Sequence, residues 1–341
     1  MGDRPPLRPR RHIRVRCDRP QRPGTPRPRR RTRSSLKQIP CRIHRFTRVN
    51  LSYPSRMANP VSPTRSASRN NKPRNPPPDI STFASSQIVC GDNLPFLESI
   101  PSDSIDLIYI DPPYNTGATK KGSGGQYDDA WPSIDAYLDF LEPRIIEMYR
   151  TLKSTGSILV HCDWRTSHHI RLLLDRIFAP ENFVNHLIWK YGLGGSSPRT
   201  FARKHDDIFF YAKSDSYYFG PPMVAATSQR MKGQLKKATD VIDIPAINNM
   251  ATERTGYPTQ KPLALLELLI RACAPENGIV ADFFCGSGTT LAAAAALGRS
   301  WIGCDQSSDA IAISKKRMRE IEFNRLSPDT NHHFKSTTTG K

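Results

Sequence analysis

The amino-acid sequence predicts an α/β fold with a doubly wound, mostly parallel sheet, and three observations predict it. Between residues 85 and 325, short apolar runs alternate with longer segments whose apolar residues recur at helical spacing. Runs such as IDLIYI (105–110) lack polar alternation, which is typical of strands buried on both faces. An aspartate lies at or just past the end of four runs, where the strands of such sheets gather ligands. These aspartates are Asp92, Asp111, Asp282 and Asp305.

The elements follow one another as strands and helices with few interruptions. Strands are expected at 86–92, 105–110, 156–162, 183–191, 205–214, 278–284 and 300–305. Helices are expected at 133–153, 167–178, 261–274, 288–298 and 308–321. Ser133 is a candidate N-cap for the first helix, which Pro143 is expected to kink or split. Residues 191–204 and 214–258 have weak periodicity, so we expect loops or a small inserted subdomain there.

The charge of the chain is concentrated at its beginning. Residues 1–80 hold 22 of the 50 Lys and Arg residues and 3 of the 31 acidic residues, which accounts for the whole net charge of +19. This Arg- and Pro-rich segment is expected to be disordered, as are residues 326–341, leaving a folded domain at 85–325. Three interpretations of the tail remain: a basic arm on DNA phosphates, a targeting peptide, or an extension upstream of a start near Met57. We favour the last.

Other classes of protein have little support in the composition. No apolar run approaches the ~18 residues that a membrane span needs, so no membrane contact is expected. The seven cysteines form no C-x-x-C pair and no cluster with zinc spacing, so no metal site is predicted. Their odd number, without a signal peptide, favours a reduced, cytoplasmic and nucleoid-associated location.

The segment ADFFCGSGTT (281–290) has the pattern of a strand, a glycine turn and a helix start. Gly286 and Gly288 would let the backbone approach a ligand, and Asp305 follows at the distance expected for a carboxylate on ribose hydroxyls. A dinucleotide site would need a third glycine where Leu291 stands, and no phosphate-binding G-x-x-x-x-G-K motif is present. The gathered carboxylates favour a cationic ligand without phosphate, which S-adenosylmethionine is.

The segment DPPY (111–114) follows a buried strand and is stiffened by two prolines. An exocyclic amino group of a nucleobase is a poor nucleophile, because its lone pair is delocalised into the ring. The Asp111 carboxylate and the Pro112 carbonyl could accept its two hydrogens, while Pro113 keeps the turn rigid and Tyr114 stacks on the base. Such an amino group is inaccessible within a duplex, so the base would have to be flipped out.

These motifs, with GYPTQKPLALLELLI and GRSWIGCD, resemble the bacterial site-specific DNA methyltransferases that methylate amino groups. The resemblance covers about residues 87–320 and is to the adenine-specific group in which the catalytic motif precedes the cofactor motif. It implies a seven-stranded, Rossmann-like methyltransferase sheet, with a target-recognition insertion at 191–258. It departs from the common pattern at Phe283, where proline is frequent, and at Asp305, where glutamate is common.

The resemblance also implies a set of cofactor-binding residues. With those from the glycine turn, the predicted set is Asp92, Thr259, Lys261, Pro262, Asp282, Phe284, Gly286, Ser287, Gly288, Thr289 and Asp305. Double-stranded DNA is the expected substrate. A cognate restriction endonuclease and a homodimer are compatible with the resemblance, and the sequence decides neither.

Two basic segments are candidate DNA contacts. Lys120 and Lys121 lie in a glycine-rich stretch (115–129) that we expect to be a loop able to move over the site, with a passive solvated loop as the alternative. The second segment places Arg199, Arg203 and Lys204 around Phe201, a mixture suited to phosphates and bases.

Several alternative functions remain at the level of sequence. Methylation of the cytosine 4-amino group could use the same two acceptors, although Asp111 stands where that group often has serine. Methylation at cytosine carbon 5 needs a thiolate, and the only Pro-Cys pair (40–41) lies in the tail, which excludes it. An RNA or protein substrate, or a catalytically silent DNA-binding regulator, is also compatible, but the intact Asp111, Tyr114 and Gly286 argue against a silent protein.

Overall fold

The structure is a computed structural model, and it describes residues 86–122, 125–192, 197–226, 228–248 and 250–326. The predicted disordered tail at 1–80 lies outside the described residues. The predicted C-terminal tail does so too, except that the last helix reaches Leu326. Within the described ranges, none of the helices has the length and apolar character of a membrane-spanning segment.

The described ranges form twelve strands and six α-helices. The strands are β1 (Gln87–Cys90), β2 (Ile105–Ile110), β3 (Ala118–Gly122), β4 (Gly125–Asp129), β5 (Leu152–Cys162), β6 (Phe183–Lys190), β7 (His205–Ala212), β8 (Met223–Ala225), β9 (Leu235–Lys237), β10 (Val241–Asp243), β11 (Ile279–Asp282) and β12 (Ser300–Asp305). The helices are α1 (Asn93–Ser99), α2 (Ile134–Thr151), α3 (Ser167–Phe178), α4 (Leu263–Cys273), α5 (Thr289–Ala296) and α6 (Ser308–Leu326).

Eight strands form one sheet in the order β1-β12-β11-β2-β5-β7-β6-β10. All neighbours in it are parallel except β7, which runs antiparallel to both β5 and β6. The predicted mostly parallel α/β sheet is therefore confirmed. Its strand count is one more than the predicted seven, because β10 pairs with β6 at the edge of the sheet. Three residues are too few for a periodic sequence signal, which is why β10 was not predicted.

Helices cover both faces of the sheet, and β2 shows the reason. Its residues are buried and alternate between two hydrophobic layers, with Leu107 and Tyr109 facing α4 and α5. Ile108 and Ile110 face the layer formed by α1, α2 and α3. Burying each such side chain contributes about 1.5–3 kcal/mol, so both faces stabilise the sheet and a doubly wound arrangement results.

Two regions differ in structure from their sequence-based expectation. The range 191–258, predicted as an insertion, contributes β7 and β10 to the main sheet, although its recognition role stays a prediction. The glycine-rich range 115–129, predicted as a loop, contains the antiparallel hairpin β3–β4. Asp129 anchors this hairpin, because its buried carboxylate accepts hydrogen bonds from the Asn115 N–H (2.7 Å) and the Thr116 hydroxyl (2.6 Å).

Candidate active site

A cavity of about 380 Å³ lies at the carboxyl ends of four parallel strands. β1, β12, β11 and β2 are neighbours in the sheet and run in the same direction, so their ends meet at one edge. The four aspartates singled out in the sequence all line this cavity: Asp92, Asp111, Asp282 and Asp305. Of the predicted catalytic residues, Asp111 and Pro113 line this cavity beside the glycine turn, whereas Pro112 and Tyr114 do not, and the catalytic role of the turn stays a prediction.

The turn between β11 and α5 depends on two glycines in the left-handed region. Gly286 has φ 49° and Gly288 has φ 72°. A Cβ atom on Gly288 would lie 2.6 Å from the Ser314 hydroxyl, and one on Gly286 would lie 3.0 Å from the Tyr257 ring. Larger residues would therefore strain the backbone and collide with its surroundings. The glycines keep the wall of the cavity at backbone thickness.

A buried carboxylate, Asp282, and a half-buried one, Asp305, hold this turn in place. Asp282 accepts from the Phe284 N–H (3.0 Å) and the Thr290 hydroxyl (2.5 Å), and Asp305 accepts from the Gly286 N–H (2.9 Å). Burial raises the pKa of Asp282 to about 7 and also raises the pKa of Asp305. A bound cation or hydroxyl donor would stabilise the ionised forms of these carboxylates.

Asp92 lines the cavity just past the end of β1, next to β12, and it caps α1. It accepts from the Leu94 N–H (3.1 Å) and pairs with Arg144 at 2.7 Å. Burial alone would raise the pKa of Asp92, but the Leu94 N–H and the Arg144 guanidinium lower it below its usual value. Arg144 also stacks 3.8 Å over the Phe140 ring. Arg144 could not be predicted from the sequence, because it lies within α2, 52 residues from its partner.

The polar atoms of the DPPY turn differ in whether they have hydrogen-bond partners. The Tyr114 hydroxyl donates to Asp111 at 2.5 Å, and burial together with this carboxylate raises the pKa of Tyr114. The Pro113 carbonyl accepts from the Tyr137 hydroxyl at 2.7 Å. By contrast, the Pro112 carbonyl accepts no hydrogen bond from any residue that the structure describes. Pro112 is buried and is not among the described residues that line the cavity, so its role as an acceptor stays a prediction.

Lys261, predicted as a cofactor contact, lies on the catalytic side of the cavity. Its ammonium group donates to the second oxygen of Asp111 and lies 3.2 Å from the Tyr114 hydroxyl. Asp206 lies nearby, where burial alone would raise its pKa, but His161 and Lys261 lower it. The lysine thus neutralises the carboxylate that was predicted to be catalytic, a contact between residues 150 positions apart that the sequence could not reveal.

The hairpin β3–β4 and the segment before α4 close one side of the cavity. The rings of Tyr127 and Tyr257 stack with their centroids 6.4 Å apart, and the Tyr127 hydroxyl lies 3.5 Å from the Thr259 hydroxyl. Trp131 also lines the cavity. No role could be predicted for Tyr127, Trp131 and Tyr257, since polar strands and loops carry no periodic signal.

The remaining predicted cofactor residues divide into two groups. Thr259, Phe284, Ser287 and Thr289 line the cavity. Pro262 is instead the residue that caps α4, and Gly288 acts through the shape of the turn. Their positions follow from the elements that carry them rather than from direct exposure to the cavity.

The candidate DNA contacts lie on two separate elements. Lys120 and Lys121 are on β3, and the Lys120 ammonium lies 4.0 Å from Asp129. Arg199 and Arg203 are exposed in the segment before β7, and Lys204 is half-buried there. Arg203 stacks over the ring of Trp164 with its guanidinium 3.8 Å from the centroid.

The fold places a ligand cavity at the carboxyl ends of parallel strands, as in many α/β enzymes, and the DPPY turn and the glycine turn both contribute to its wall. The family model described as DNA methylase matches residues 105–316. The type II methyltransferase M.HpaI of Haemophilus parainfluenzae is 31% identical over 245 residues, which is 70% of this chain and 75% of that protein. The DNA adenine methyltransferase YhdJ of Escherichia coli K12 is 31% identical over 248 residues, covering 68% and 82%.

Among solved structures, the PvuII cytosine-N4-specific DNA methyltransferase shares the fold. Its TM-score is 0.52 at 18% identity, and the match covers 71% of this chain and 93% of that one. The chain therefore belongs to the DNA methylase family, which confirms the family predicted from its motifs.

The residues of the cavity fit S-adenosylmethionine. This molecule is the cofactor of the family, so the predicted cofactor is confirmed. Gly286 lines the cavity close to the Tyr257 ring, so a Cβ atom there would crowd that ring, and the carboxylates of Asp92, Asp282 and Asp305 also line the cavity. Carboxylates attract the sulfonium and ammonium groups and accept from ribose hydroxyls, whereas they would repel a pyrophosphate.

Proposed function

We propose that this chain methylates the exocyclic 6-amino group of adenine at specific sites of double-stranded DNA. One observation carries the proposal: the Asp111 carboxylate lies beside the glycine turn in one cavity, with the Pro112 carbonyl next to it in the chain. Two acceptors at the end of a rigid strand match the two hydrogens of an amino group. A flipped adenine would be held by them with its lone pair directed towards the methyl donor.

For methyl transfer, the protein has mainly to polarise and position the amine. Bound S-adenosylmethionine supplies a methyl group on a positively charged sulfur, and the electron pair of the methyl–sulfur bond stays with sulfur when that bond breaks. The Asp111 carboxylate and the Pro112 carbonyl accept hydrogen bonds from the two N–H groups and so localise the nitrogen lone pair. This lone pair forms the new carbon–nitrogen bond. The nitrogen then releases one proton, for which the Asp111 carboxylate is the adjacent base. Tyr114 provides a flat face against the base.

Lys261 must leave one oxygen of Asp111 when the amino group arrives, because both compete for the same lone pairs. Its ammonium could move to Asp206, the other carboxylate that it stabilises. In the absence of DNA, the pair keeps the carboxylate neutralised within a cavity that already holds several negative groups. The ion pair is therefore compatible with the catalytic role of Asp111.

Adenine is proposed over cytosine on two grounds. Asp111 stands where the cytosine group that the sequence resembles often has serine, and one relative that is 31% identical is named a DNA adenine methyltransferase. The cytosine 4-amino group stays the alternative, because it would present its two hydrogens to the same acceptors.

The decisive experiment is incubation with labelled S-adenosylmethionine and a DNA mixture of many sequences, followed by mass spectrometry of the nucleosides. Label in N6-methyladenine supports the proposal, and label in N4-methylcytosine would replace it with the alternative. No label with a chain that binds S-adenosylmethionine would favour a silent DNA-binding regulator.

The remaining parts of the predicted function extend this proposal. We assign target recognition to residues 191–258 and phosphate contacts to Lys120, Lys121, Arg199, Arg203 and Lys204, on the strength of their charge and placement. The restriction endonuclease partner and the homodimer stay predictions, since no described residue argues for either.

A further inference from the structure

An exposed tryptophan contacts two arginines just past the end of β5. Trp164 is 46% exposed, and the guanidinium carbons of Arg203 and Arg165 lie 3.8 Å and 4.9 Å from its ring centroid. We propose that this cluster, Trp164 with Arg165 and Arg203, is a DNA contact in which Trp164 stacks on an unstacked base and the arginines contact phosphates. The proposal rests on the proposed function, since it places the cluster beside the flipped nucleotide.

The sheet brings this cluster to the edge that carries the catalytic turn. β5 runs parallel to β2 with Val160 beside Ile110, so both strands end at the same edge. Trp164 follows the end of β5 by two residues, as Pro112 follows the end of β2. β7 is antiparallel to β5 and starts at this edge, which is why Arg203, two residues before β7, reaches Trp164.

The cluster is preorganised on one side and open on the other. The Asp163 carboxylate binds the guanidinium of Arg165 and accepts from its N–H at 2.8 Å, which fixes the turn that presents Trp164. No carboxylate among the described residues pairs with Arg203, and Arg199 lies exposed in the same segment. The exposed side of the cluster therefore has an excess of positive charge.

Stability does not explain why a tryptophan is placed here. The other three tryptophans, at 131, 189 and 301, are partly or fully buried. A cation–π contact at an exposed site is weak, so it does not compensate for ordering two long side chains on an exposed ring. A base face and a phosphate together match an aromatic ring flanked by guanidinium groups, and this stacking tolerates any base.

The first test measures the affinity of the full chain for a 16-nucleotide oligo(dA) and for a mixed-sequence duplex, by fluorescence anisotropy. Replacing Trp164 with alanine should weaken oligo(dA) binding about tenfold, since stacking on one base is worth this much or more. Trp164→Phe should keep affinity within about threefold, because it retains a ring. Equal affinity of the wild type and both variants would overturn the proposal.

A matched control is available at the opposite edge of the sheet. Phe219 is 47% exposed, and its neighbour Tyr218 bonds to Thr155 near the start of β5. Phe219→Ala should leave oligo(dA) affinity unchanged. If it weakened binding as much as Trp164→Ala did, the effect would be non-specific and the assignment wrong.

Charge is tested through the salt dependence of binding. Arg203→Gln should lower the slope of log affinity against log salt by about one, as expected for a lost phosphate contact. An unchanged slope would overturn the phosphate role and would favour an acidic protein as the partner of this surface. Calorimetric affinity for S-adenosylmethionine should be unchanged in every variant.

These outcomes are separable from those of the proposed function. Loss of oligo(dA) binding in Trp164→Ala would support the contact even if the wild type transferred no methyl group to adenine. Conversely, if the wild type methylates adenine and Trp164→Ala binds DNA as tightly as the wild type does, the proposed function is supported and the proposed contact is refuted.

Discussion

At the scale of single residues, the site depends on a carboxylate that has two partners before any substrate arrives. Asp111 accepts from Tyr114 through one oxygen and from Lys261 through the other. Asp111 could be predicted from its place after a buried strand, but its ion pair with Lys261 could not. Contacts between residues far apart in the chain follow only once the sheet order is known.

Replacing Asp111 with alanine should abolish methyl transfer and leave cofactor binding in place. Loss of this acceptor and base should lower kcat at least about a hundredfold. The carboxylates at Asp92 and Asp305 should hold calorimetric affinity for S-adenosylmethionine. Asp111→Asn is the control of equal size and should also be inactive, and turnover retained by either variant would refute the assigned role.

Lys261→Met separates two roles for this lysine. Because its ammonium contacts Asp111, we expect kcat to fall about tenfold or more, while affinity for S-adenosylmethionine changes little. Lys261→Arg should recover part of the rate, since it restores the positive charge. A large loss of cofactor affinity with normal kcat would instead support the cofactor contact that the sequence predicted.

At the scale of elements, apolar runs were predicted well and polar ones were not. β2 and α3 begin and end at the predicted residues, because burial of their apolar side chains determines both pattern and structure. α2 continues through Pro143 as one helix, so of the expected kink or split the split is wrong, and the kink stays a prediction. The hairpin β3–β4 escaped prediction, because its residues ATKKG and GQYDD lack apolar alternation and its order depends on Asp129.

Asp129→Ala should loosen this hairpin and the cavity wall that it forms. The change leaves the Asn115 N–H and the Thr116 hydroxyl without their acceptor, at a cost of about 1–3 kcal/mol in the free energy of unfolding. Hydrogen exchange of residues 115–129 should accelerate, and the melting temperature should fall. The neighbouring Asp128 is exposed, so Asp128→Ala should change neither by as much.

At the scale of the whole molecule, charge and catalysis are separated along the chain. The basic excess lies in residues 1–80, while residues 81–341 are neutral overall and contain every described residue that lines the cavity. The α/β class could be predicted from the sequence, because strand–helix alternation constrains topology strongly. The eighth strand and the aromatic wall could not, because they arise from short or polar segments.

A chain that starts at Met57 should keep its activity. Among the residues that the structure describes, none that lines the cavity precedes Gly91, so kcat and affinity for S-adenosylmethionine should stay within about twofold of those of the full chain. The same preparation should bind duplex DNA in an anisotropy assay. Complete loss of that binding would show that the basic segment is a working DNA-binding arm.

The packing of α6 against β1 has a consequence for how this enzyme could be encoded. β1 opens the described domain and α6 closes it, and the two elements are in contact. A linker of sufficient length from α6 to β1 would close the polypeptide into a ring, which could be reopened between β10 and α4. The resulting circular permutant would read the glycine turn before the DPPY turn, yet it would assemble the same sheet and pocket. The order of the two motifs along the chain would therefore depend on where the ring is opened, and the folded site would be the same in either order.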